Sequence, residues 1–346
     1  MSVRVAPEEL ERRVRGTLVA AGAREHDAAV TARVLVDADV RGHRSHGVGL
    51  LPTYLDRIEA GGIAVDATPE WLGDEGPVAV LDARGVLGPV AADLGARRCA
   101  ALAAENGTGT VAVRGNNHVG MLAAYRRPFA EAGVVGVFMN TSGASVAPPG
   151  GQRATMGNNA LCIVAPRAGT NPLVVDLATG VVASGKIREA AREGRSIPPG
   201  LLLDADGRET TDPTHIDRGG AVPVFGGHKG LGVSLLIELL VGCLATGHGS
   251  SAIKKQRRYP GEPMGCGQLF LGFSPAAFVG ADPADIVREL QDEVAGAYAE
   301  APARPWFPEQ LEEDATARAE RTGVEIPPDI AALLGVEEAV LVPGRR

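Results

Sequence analysis

Three short glycine-flanked segments of this chain contain histidine, the side chain best suited to proton transfer near neutral pH. They are 41–47 (Arg-Gly-His-Arg-Ser-His-Gly), 115–120 (Gly-Asn-Asn-His-Val-Gly) and 226–230 (Gly-Gly-His-Lys-Gly). Glycine beside a polar side chain lets another group approach the backbone closely. Such segments, far apart along the chain, predict one active site assembled from several loops.

His118 is the leading candidate for acid–base chemistry. The run at 110–113 is typical of a strand, which places His118 on the loop that leaves the strand end. A loop histidine held by backbone hydrogen bonds is the structural alternative, but the adjacent asparagines and glycines favour a site. Within hydrogen-bond reach of a substrate oxygen, His118 would donate or accept its proton.

The other two segments each have two interpretations. Ser45 and His46 precede a predicted helix that carries Tyr54, so Ser45 either caps that helix or binds substrate. His228 and Lys229 precede an apolar helix, where backbone donors and a positive charge attract a phosphate. Lys229 is otherwise an ordinary surface lysine. His43 is interpreted as an exposed polar residue.

The composition limits the function classes. The chain has 346 residues, 45% of them hydrophobic and 22% charged, with a formal net charge of −8. These values indicate a soluble globular protein of more than one domain, without nucleic acid or membrane as partner. The basic run 254–258 is interpreted as a solvated loop, and a clamp on a cofactor phosphate is the less favoured alternative.

Two further features bear on the compartment. The four cysteines are far apart without a C-x-x-C pair, which indicates reduced thiols in the cytoplasm. No apolar signal core follows Met1. The apolar stretch 231–245 includes Ser234 and Glu238, so we expect a buried helix and not a membrane span.

The hydrophobic pattern predicts helices at both ends of the chain and a strand-rich middle. Helices are expected within 7–42 (two helices) and at 51–60, 90–106, 187–193, 231–244 and 283–300. Strands are expected at 78–82, 110–113, 134–139, 161–165, 173–177 and 269–273. We draw domain boundaries near 120 and 285, so that 1–120 and 285–346 form one helical domain around a second domain at 121–284.

Several familiar motifs are absent or incomplete. The segment 180–186 resembles a P-loop, but Ile187 stands where a P-loop needs Ser or Thr to hold magnesium. No G-x-G-x-x-G follows a predicted strand, which argues against a Rossmann fold. His43 and His46 lack further ligands at a suitable spacing, so no metal site is expected.

Seven motifs in order between Arg41 and Gly230 give the chain a resemblance to the malate/L-lactate dehydrogenase family of NAD(P)-dependent oxidoreductases. They are Arg41-Gly42…Ser45-His46-Gly47 with Pro52-x-Tyr54, Asn117-His118-x-Gly120, Met156-Gly157-Asn158-Asn159, Asp176-Leu177-Ala178-Thr179, Ile197-Pro198-x-Gly200, Thr210-Thr211-Asp212-Pro213 and Gly227-His228-Lys229-Gly230. The resemblance implies a mixed α/β fold without a Rossmann domain. It also implies an NAD(P)-binding domain (121–284) on a mostly antiparallel sheet and a helical substrate and dimer domain.

The resemblance also implies roles for individual residues. His118 would transfer the proton, with His46 and Ser45 beside it, and Tyr54, Leu50 and Asn117 would bind substrate. The cofactor, NAD or NADP, would be held by a longer set: Ser142, Asp176, Leu177, Ala178, His228, Lys229, Pro308 and Glu309. Members of the family are usually homodimers.

Three positions depart from the family pattern. Leu50 stands where many relatives carry an arginine thought to bind a substrate carboxylate, which favours an apolar or aromatic substrate tail. The family turn Gly-Thr-Asn-Pro reads as 157–160, Gly-Asn-Asn-Ala, and the C-terminal Pro-Gly-Glu reads as Pro308-Glu309. These changes bear on the cofactor contacts.

The resemblance implies reversible hydride transfer between NAD(P)H and C2 of a 2-oxo or 2-hydroxy acid. Reduction of a cyclic imine, such as a piperideine or pyrroline carboxylate, is the alternative enzymatic activity. A relative that binds a small molecule without catalysis is the alternative from another class. The particular acid, the stereochemistry at C2, the direction, and NAD versus NADP stay open at this point.

Overall fold

The computed structural model describes residues 3–167, 171–278, 282–298 and 307–336. Its helices are α1 (Pro7–Ala20), α2 (Glu25–Val40), α3 (Leu51–Glu59), α4 (Gly88–Asn106), α5 (Arg127–Glu131), α6 (Ser184–Arg192), α7 (His228–Val241), α8 (Pro283–Gly296), α9 (Gln310–Thr322) and α10 (Pro328–Leu333). Its strands are β1 (Val3–Val5), β2 (Glu70–Glu75), β3 (Val78–Asp82), β4 (Thr108–Asn116), β5 (Val135–Asn140), β6 (Ala144–Ala147), β7 (Met156–Gly157), β8 (Ala160–Ala165), β9 (Leu173–Ala178), β10 (Val222–Pro223), β11 (Cys266–Phe273) and β12 (Val324–Ile326).

A seven-stranded sheet in the order β2-β3-β4-β11-β5-β8-β9 forms the centre of the molecule. Five of its six strand pairings are antiparallel, and β3 with β4 is the parallel one. The predicted mixed fold with a mostly antiparallel, non-Rossmann sheet is therefore confirmed. β11 lies at the centre of the sheet because its apolar run pairs with both β4 and β5.

The helices predicted before residue 110 are all present, because each has an apolar face and a clear end. Leu10, Val14 and Leu18 form the buried face of α1. α4 ends at Gly107, whose φ of 82° suits the left-handed conformation of a helix end. α4 packs on the central strands, where a Cβ on Gly95 would come 2.9 Å from Val113.

The two ends of the chain pack together. β1 pairs with β12 in antiparallel register, Val3 opposite Ile326, and α9 packs on α2. The sheet takes strands from both sides of residue 120, and one hydrophobic core extends from Val5 to Val336. The division into two domains stays a prediction.

The interpretation of 231–245 as a buried helix is wrong. α7 and the π-helical turn after it (Gly242–Thr246) pack one face on the sheet through Ile237 and Val241. The opposite face is open, and Leu239 is 63% exposed. Among the described residues, His228–Thr246 is the one helix whose length and mean hydropathy of 1.7 would allow it to cross a membrane, and 22% of that window is buried.

The C-terminal region has more structure than its sequence pattern predicted. The helix expected at 283–300 is α8, which ends at Gly296, while Ala299 and Glu300 lie outside the described residues. α9 and α10 follow it and were not predicted. The charged sequence of α9 buries only Ala315 and Ala319, so its apolar periodicity is weak.

Candidate active site

His118 lies on the loop after β4, as predicted, and meets Tyr54 from α3. The Tyr54 hydroxyl oxygen lies 2.8 Å from Nδ1 of His118 and 3.3 Å from its backbone oxygen. The Gly120 amide donates to the same Nδ1 at 3.2 Å. Tyr54 is 2% exposed, whereas His118 is half-buried and therefore reachable by a small molecule.

These contacts decide which nitrogen of His118 faces a ligand. A backbone amide donates only, so Nδ1 accepts and the neutral ring carries its proton on Nε2. If Nδ1 takes up a proton instead, the Tyr54 oxygen accepts from it while its own hydrogen turns to the backbone oxygen of His118. The phenol thus supports either protonation state of Nδ1 and leaves Nε2 for chemistry.

His46 stacks on His118. The ring centroids are 6.0 Å apart with an interplanar angle of 11°. The Ser45 hydroxyl lies 3.0 Å from Nδ1 of His46, and α3, the helix that carries Tyr54, begins after Leu50 without a side-chain cap. The capping alternative for Ser45 is therefore wrong, and Ser45 and His46 lie with His118 in one cluster.

Both histidines of the cluster are uncharged at neutral pH. Desolvation, then the charges of His46, Arg57 and Arg257, lower the pKa of His118 to about 3. Desolvation, then His43, lowers the pKa of His46 to about 4. Two neutral rings stack without charge repulsion, and an anionic ligand beside them would raise both pKa values.

Asn117, the neighbour of His118, is buried and joins several segments around the site. Its Nδ2 donates to the backbone oxygens of Gly85 (2.7 Å) and Val86 (3.0 Å). Its Oδ1 accepts from Arg57 at 2.9 Å and from the Met264 amide at 3.1 Å. The protein thus satisfies the Asn117 amide, and a substrate contact at this residue stays a prediction.

Arg57 is a central residue that sequence reasoning missed. Its guanidinium is buried and donates to Asn117 and to backbone oxygens of the loop after residue 255, Gln256 (3.2 Å), Tyr259 (3.1 Å) and Glu262 (2.9 Å). A buried arginine satisfied by carbonyls fixes the segments it joins. Arg57 therefore anchors the backbone of the run 254–258, while the side chains of Lys255, Arg257 and Arg258 are exposed, in agreement with the interpretation as a solvated loop.

Asp39 contacts the turn at Ser45–Gly47 and fixes its position. Sequence reasoning missed this residue as well. The Val48 amide donates to its carboxylate at 2.7 Å. A Cβ on Gly47 would come 2.1 Å from the same carboxylate, so only glycine fits there. Desolvation raises the pKa of Asp39 to about 7, because the Val48 amide and the charge of Arg44 only partly offset it. The glycine of the Ser-His-Gly motif was the signal that a neighbour approaches closely.

Leu50 is largely buried at the start of α3. Its side chain is 8% exposed and belongs to the hydrophobic core. The substrate contact at Leu50 and the preference for an apolar substrate tail stay predictions.

The predicted cofactor segments converge through backbone hydrogen bonds. The Thr179 amide donates to the Asn159 oxygen at 3.0 Å, and the Phe225 amide donates to the Thr179 oxygen at 2.9 Å. The Ser142 amide donates to Oδ1 of Asn159 at 3.0 Å, and the Gly180 amide donates to Asn158 at 2.7 Å. The segments containing Ser142, 157–160, 176–179 and 225–229 therefore form one surface.

The altered turn at 157–160 has a definite structural use. Asn159 is fully buried, and its Nδ2 donates to Glu238 of α7 at 2.8 Å. The other oxygen of Glu238 accepts from the Ser250 amide at 2.9 Å. Asn159, which the family pattern shares, thus ties α7 to the backbone of Ser142. The departing residue Asn158 accepts from the Gly180 amide at 2.7 Å, so this change from the family sequence is accommodated by a polar contact.

Most of the predicted cofactor residues offer accessible atoms on this surface. Asp176, Leu177, His228 and Lys229 are exposed, and Ser142 and Ala178 are half-buried. His228 and Lys229 form the first turn of α7 rather than preceding the helix. The Asp176 carboxylate accepts from the Ala123 amide at 2.9 Å, which fixes it in place.

Glu309 has another partner. Both carboxylate oxygens accept from Arg41, at 2.6 and 3.0 Å, and both side chains are buried. The carboxylate neutralises Arg41, and a cofactor contact at Glu309 stays a prediction. Pro308 beside it is half-buried. His43 lies nearby, 3.1 Å from Glu312, with 42% of its side chain exposed.

The comparisons with known proteins agree with this arrangement. The family model described as malate/L-lactate dehydrogenase matches residues 5–334. The chain belongs to the malate/L-lactate dehydrogenase family. A (2R)-3-sulfolactate dehydrogenase (NADP(+)) from Chromohalobacter salexigens is 37% identical over 278 residues, 80% of this chain and 83% of that protein.

Two further relatives cover most of the chain. A Δ1-pyrroline-2-carboxylate/Δ1-piperideine-2-carboxylate reductase from Pseudomonas putida is 33% identical, over 83% of this chain and 84% of that protein. The crystal structure of a dehydrogenase from Sinorhizobium meliloti superposes with a TM-score of 0.89 at 33% identity, over 97% of this chain and 98% of that one. The protein is thus an oxidoreductase of this family.

Proposed function

We propose that the protein transfers hydride between NAD(P)H and C2 of a 2-oxo or 2-hydroxy acid, with His118 exchanging the proton. The observation that carries this proposal is the contact of Tyr54 and Gly120 with Nδ1 of His118. It leaves Nε2 of a half-buried imidazole without a partner among the described residues. The chain that follows His118 reaches Asp176 of the predicted cofactor surface through the Ala123 amide.

The proton transfer follows from the two states of this contact. In the reducing direction, a protonated His118 gives its Nε2 proton to the substrate oxygen, while Nδ1–H donates to Tyr54. In the oxidising direction, the neutral ring carries its proton on Nδ1, and its Nε2 accepts the proton of the alcohol. The carboxylate of a bound acid favours the protonated form, because an adjacent negative charge raises the low pKa of His118.

The residues of the cofactor surface suit a nicotinamide dinucleotide. The Thr179 hydroxyl is buried without a hydrogen-bond partner in the described part of the chain, beside Asp176–Ala178. His228 and Lys229, at the start of α7, would attract the phosphates. When bound, the cofactor supplies the hydride, and the protein orients it and handles the proton.

Reduction of a cyclic imine carboxylate is the second candidate. The relative from Pseudomonas putida is named for that reaction, and the site has the same neutral histidines. An imine nitrogen is already basic, so His118 would matter less to the rate. Substrate comparison separates the two candidates.

We also propose that the protein is a cytoplasmic homodimer. The open face of α7 exposes Leu235, Leu236 and Leu239 on one helix, a patch of the kind that a second subunit covers. The four cysteines are free thiols, as suits a reducing compartment.

The test is an activity screen of NADH and NADPH with a panel of 2-oxo acids and cyclic imines. The loss of nicotinamide absorbance measures turnover. Turnover of 2-oxo acids supports the main proposal, and turnover of imines alone supports the second. Absence of turnover together with absence of thermal stabilisation by either cofactor would favour a binding protein without catalysis.

A further inference from the structure

Three central strands of the sheet meet at the end that carries the histidine site. β4 ends at Asn116 and β5 ends at Asn140, while β11, between them, begins at Cys266. β11 is antiparallel to both neighbours, so these three ends lie together. His118 follows β4 and Ser142 follows β5, each by two residues. The proton-transfer residue and a predicted cofactor segment therefore leave the sheet at the same end.

A row of side-chain amides crosses this end of the sheet. Nδ2 of Asn116 donates to Oε1 of Gln268 at 2.8 Å, and Nε2 of Gln268 donates to Oδ1 of Asn140 at 2.8 Å. Oδ1 of Asn116 accepts from the backbone amide of Asn117, the neighbour of His118, at 2.9 Å. The side chains of Asn116, Gln268 and Asn140 are called the amide row below. They join the backbone before His118 to the end of β5.

The hydrogen bonds of the amide row allow a single arrangement. The Asn117 backbone amide only donates, so Oδ1 of Asn116 faces it and Nδ2 faces Gln268. Nδ2 of Asn116 also donates to the Gly88 oxygen at 3.1 Å, where α4 begins. Asn116 and Gln268 are both 0% exposed, so solvent does not replace a lost partner. The position of each amide therefore fixes that of the next one.

A β-bulge in β4 brings Asn116 to Gln268. Val113 is opposite Gln268, whereas Asn116 is opposite Cys266, so β4 has one residue more than β11 over this stretch. Gly115 within it has a φ of 62°, a conformation that favours glycine. A bulge changes the direction of the side chains beside it. It accounts here for a contact between two side chains that the strand register does not pair.

The other end of the amide row lies beside a segment that is itself fixed. The Thr141 amide donates to the Gly267 oxygen at 3.0 Å, and the Gly267 amide donates to Oγ1 of Thr141 at 3.3 Å. The Ser142 amide, next along the chain, donates to Oδ1 of Asn159 at 3.0 Å. The amide row therefore ties the His118 loop to a rigid part of the predicted cofactor surface.

We propose that Gln268 is a positioning residue, which sets the place of His118 relative to the predicted cofactor segment at Ser142. The proposal rests on the proposed function. Hydride and proton must reach neighbouring atoms of one substrate, so the imidazole and the nicotinamide need a defined separation. A misplacement of about 1 Å can cost about 100-fold in rate. Gln268 is fully buried, so it acts through Asn116 and Asn140 and not on a ligand.

The kinetic test uses Gln268→Met, which keeps the approximate volume of the side chain but removes both of its hydrogen bonds. Enzyme loaded with NADH or NADPH reduces the best 2-oxo acid of the screen in a single turnover, and nicotinamide absorbance is followed. We expect a rate about 10- to 100-fold below wild type. The cofactor Kd should stay within about twofold, because a buried residue does not contact the cofactor.

A double-mutant cycle shows whether the loss comes from His118. In a His118→Ala background, the change Gln268→Met should lower the rate by less than about threefold, because the residue that Gln268 positions is gone. Asn140→Ala is a second variant if Gln268→Met does not fold, since Asn140 is only half-buried. It removes the acceptor of Gln268 and should lose rate in the same His118-dependent way. An equal fold-loss in both backgrounds, or no loss in either variant, would overturn the proposal.

Two further variants separate positioning from packing. Gln268→Glu should keep more of the rate at about pH 6 than Gln268→Met, because a buried carboxyl takes up a proton and then offers a donor and an acceptor, as the amide does. Phe270→Leu is the matched control on β11, because Phe270 is buried in the hydrophobic core. It should lower the stability but keep the wild-type rate. A rate loss in Phe270→Leu equal to that in Gln268→Met would assign the effect to the fold and overturn the proposal.

Nuclear magnetic resonance of protein with nitrogen-15 histidine tests the positioning role without turnover. The spectrum of His118→Ala identifies the ring signals of His118, which in wild type should show the proton on Nε2. In Gln268→Met we expect these signals to move or to divide between tautomers, because the contacts of Nδ1 with Tyr54 and Gly120 loosen. That change without turnover of any acid or imine would support the positioning role while refuting hydride transfer. Unchanged His118 signals would overturn the positioning role even in an active enzyme.

Discussion

The Tyr54 hydroxyl oxygen lies 2.8 Å from Nδ1 of His118, and the helix α3 and the loop after β4 meet at this contact. A phenol both donates and accepts, whereas the Gly120 amide at the same nitrogen only donates. Tyr54 is therefore the residue that allows Nδ1 to exist with or without a proton. This contact joins the proton chemistry of the site to the fold.

Tyr54→Phe should lower kcat about 10- to 100-fold while the protein keeps its fold. Phenylalanine cannot accept from Nδ1–H, so the Gly120 amide holds the ring in the tautomer with its proton on Nε2. We expect the loss to be larger for oxidation of the hydroxy acid, where Nε2 must accept a proton. Steady-state rates in both directions measure it, and equal rates in wild type and variant would show that Tyr54 only packs.

The stability of the protein should depend on pH through His118. Its folded pKa of about 3 lies below the ordinary value of 6.5, so the unfolded chain binds more protons between these limits. The stabilisation is complete above pH 6.5 and is lost as pH falls toward 3. Urea unfolding of His118→Asn should show a shallower loss between pH 6.5 and 4 than wild type does.

His26→Asn is the control for this measurement, because the His26 side chain is 74% exposed. It should follow the wild-type dependence of unfolding free energy on pH. If His118→Asn also follows the wild-type curve, then the imidazole of His118 is hydrated in the folded protein.

Asn159→Ala should weaken both the fold and cofactor binding. It leaves the Ser142 amide and the Glu238 carboxylate without their partner, at a cost of roughly 2–3 kcal/mol in unfolding free energy. The Kd for NADH or NADPH should rise because the surface around Ser142 loosens. Asn106→Ala, which removes a donor to the Leu102 backbone oxygen (3.0 Å) at the end of α4, serves as the control. If the variant is less stable but its cofactor Kd is unchanged, then Asn159 does not support cofactor binding.

Leu239→Lys should convert the proposed dimer to a monomer. A charge at the most exposed leucine of α7 opposes burial of that face against a second copy. Light scattering after gel filtration measures the mass of the protein in solution. Leu311→Lys is the matched control, because Leu311 is 54% exposed but lies on α9 and not on α7. A wild-type monomer, or a dimer that survives Leu239→Lys, would contradict the proposed interface.

The sequence predicts local structure correctly where the hydrophobic periodicity of an element agrees with the residues that begin or end it. The strand before His118 and the glycine that ends α4 are examples, because each depends on neighbouring residues alone. The loop position of His118 could be predicted for the same reason. The clustering of His46 with His118 came from motif order and is confirmed by their stacking.

The remaining features depend on contacts between distant segments. Nothing near Arg57 in the sequence indicates that its guanidinium meets the Gln256 backbone. The carboxylate of Glu309 meets Arg41 across nearly the whole chain, so its pairing could not be read from spacing. The apolar composition of α7 predicts burial, but composition does not say whether the second face of the helix meets this chain or another one.

Single-turnover reduction with His118→Ala tests the central assignment most directly. The best 2-oxo acid from the screen is mixed with enzyme already loaded with NADH or NADPH, and the loss of nicotinamide absorbance is followed. We predict a rate about 10²- to 10⁴-fold below wild type with an unchanged cofactor Kd. A rate equal to wild type with saturating substrate would show that another group transfers the proton.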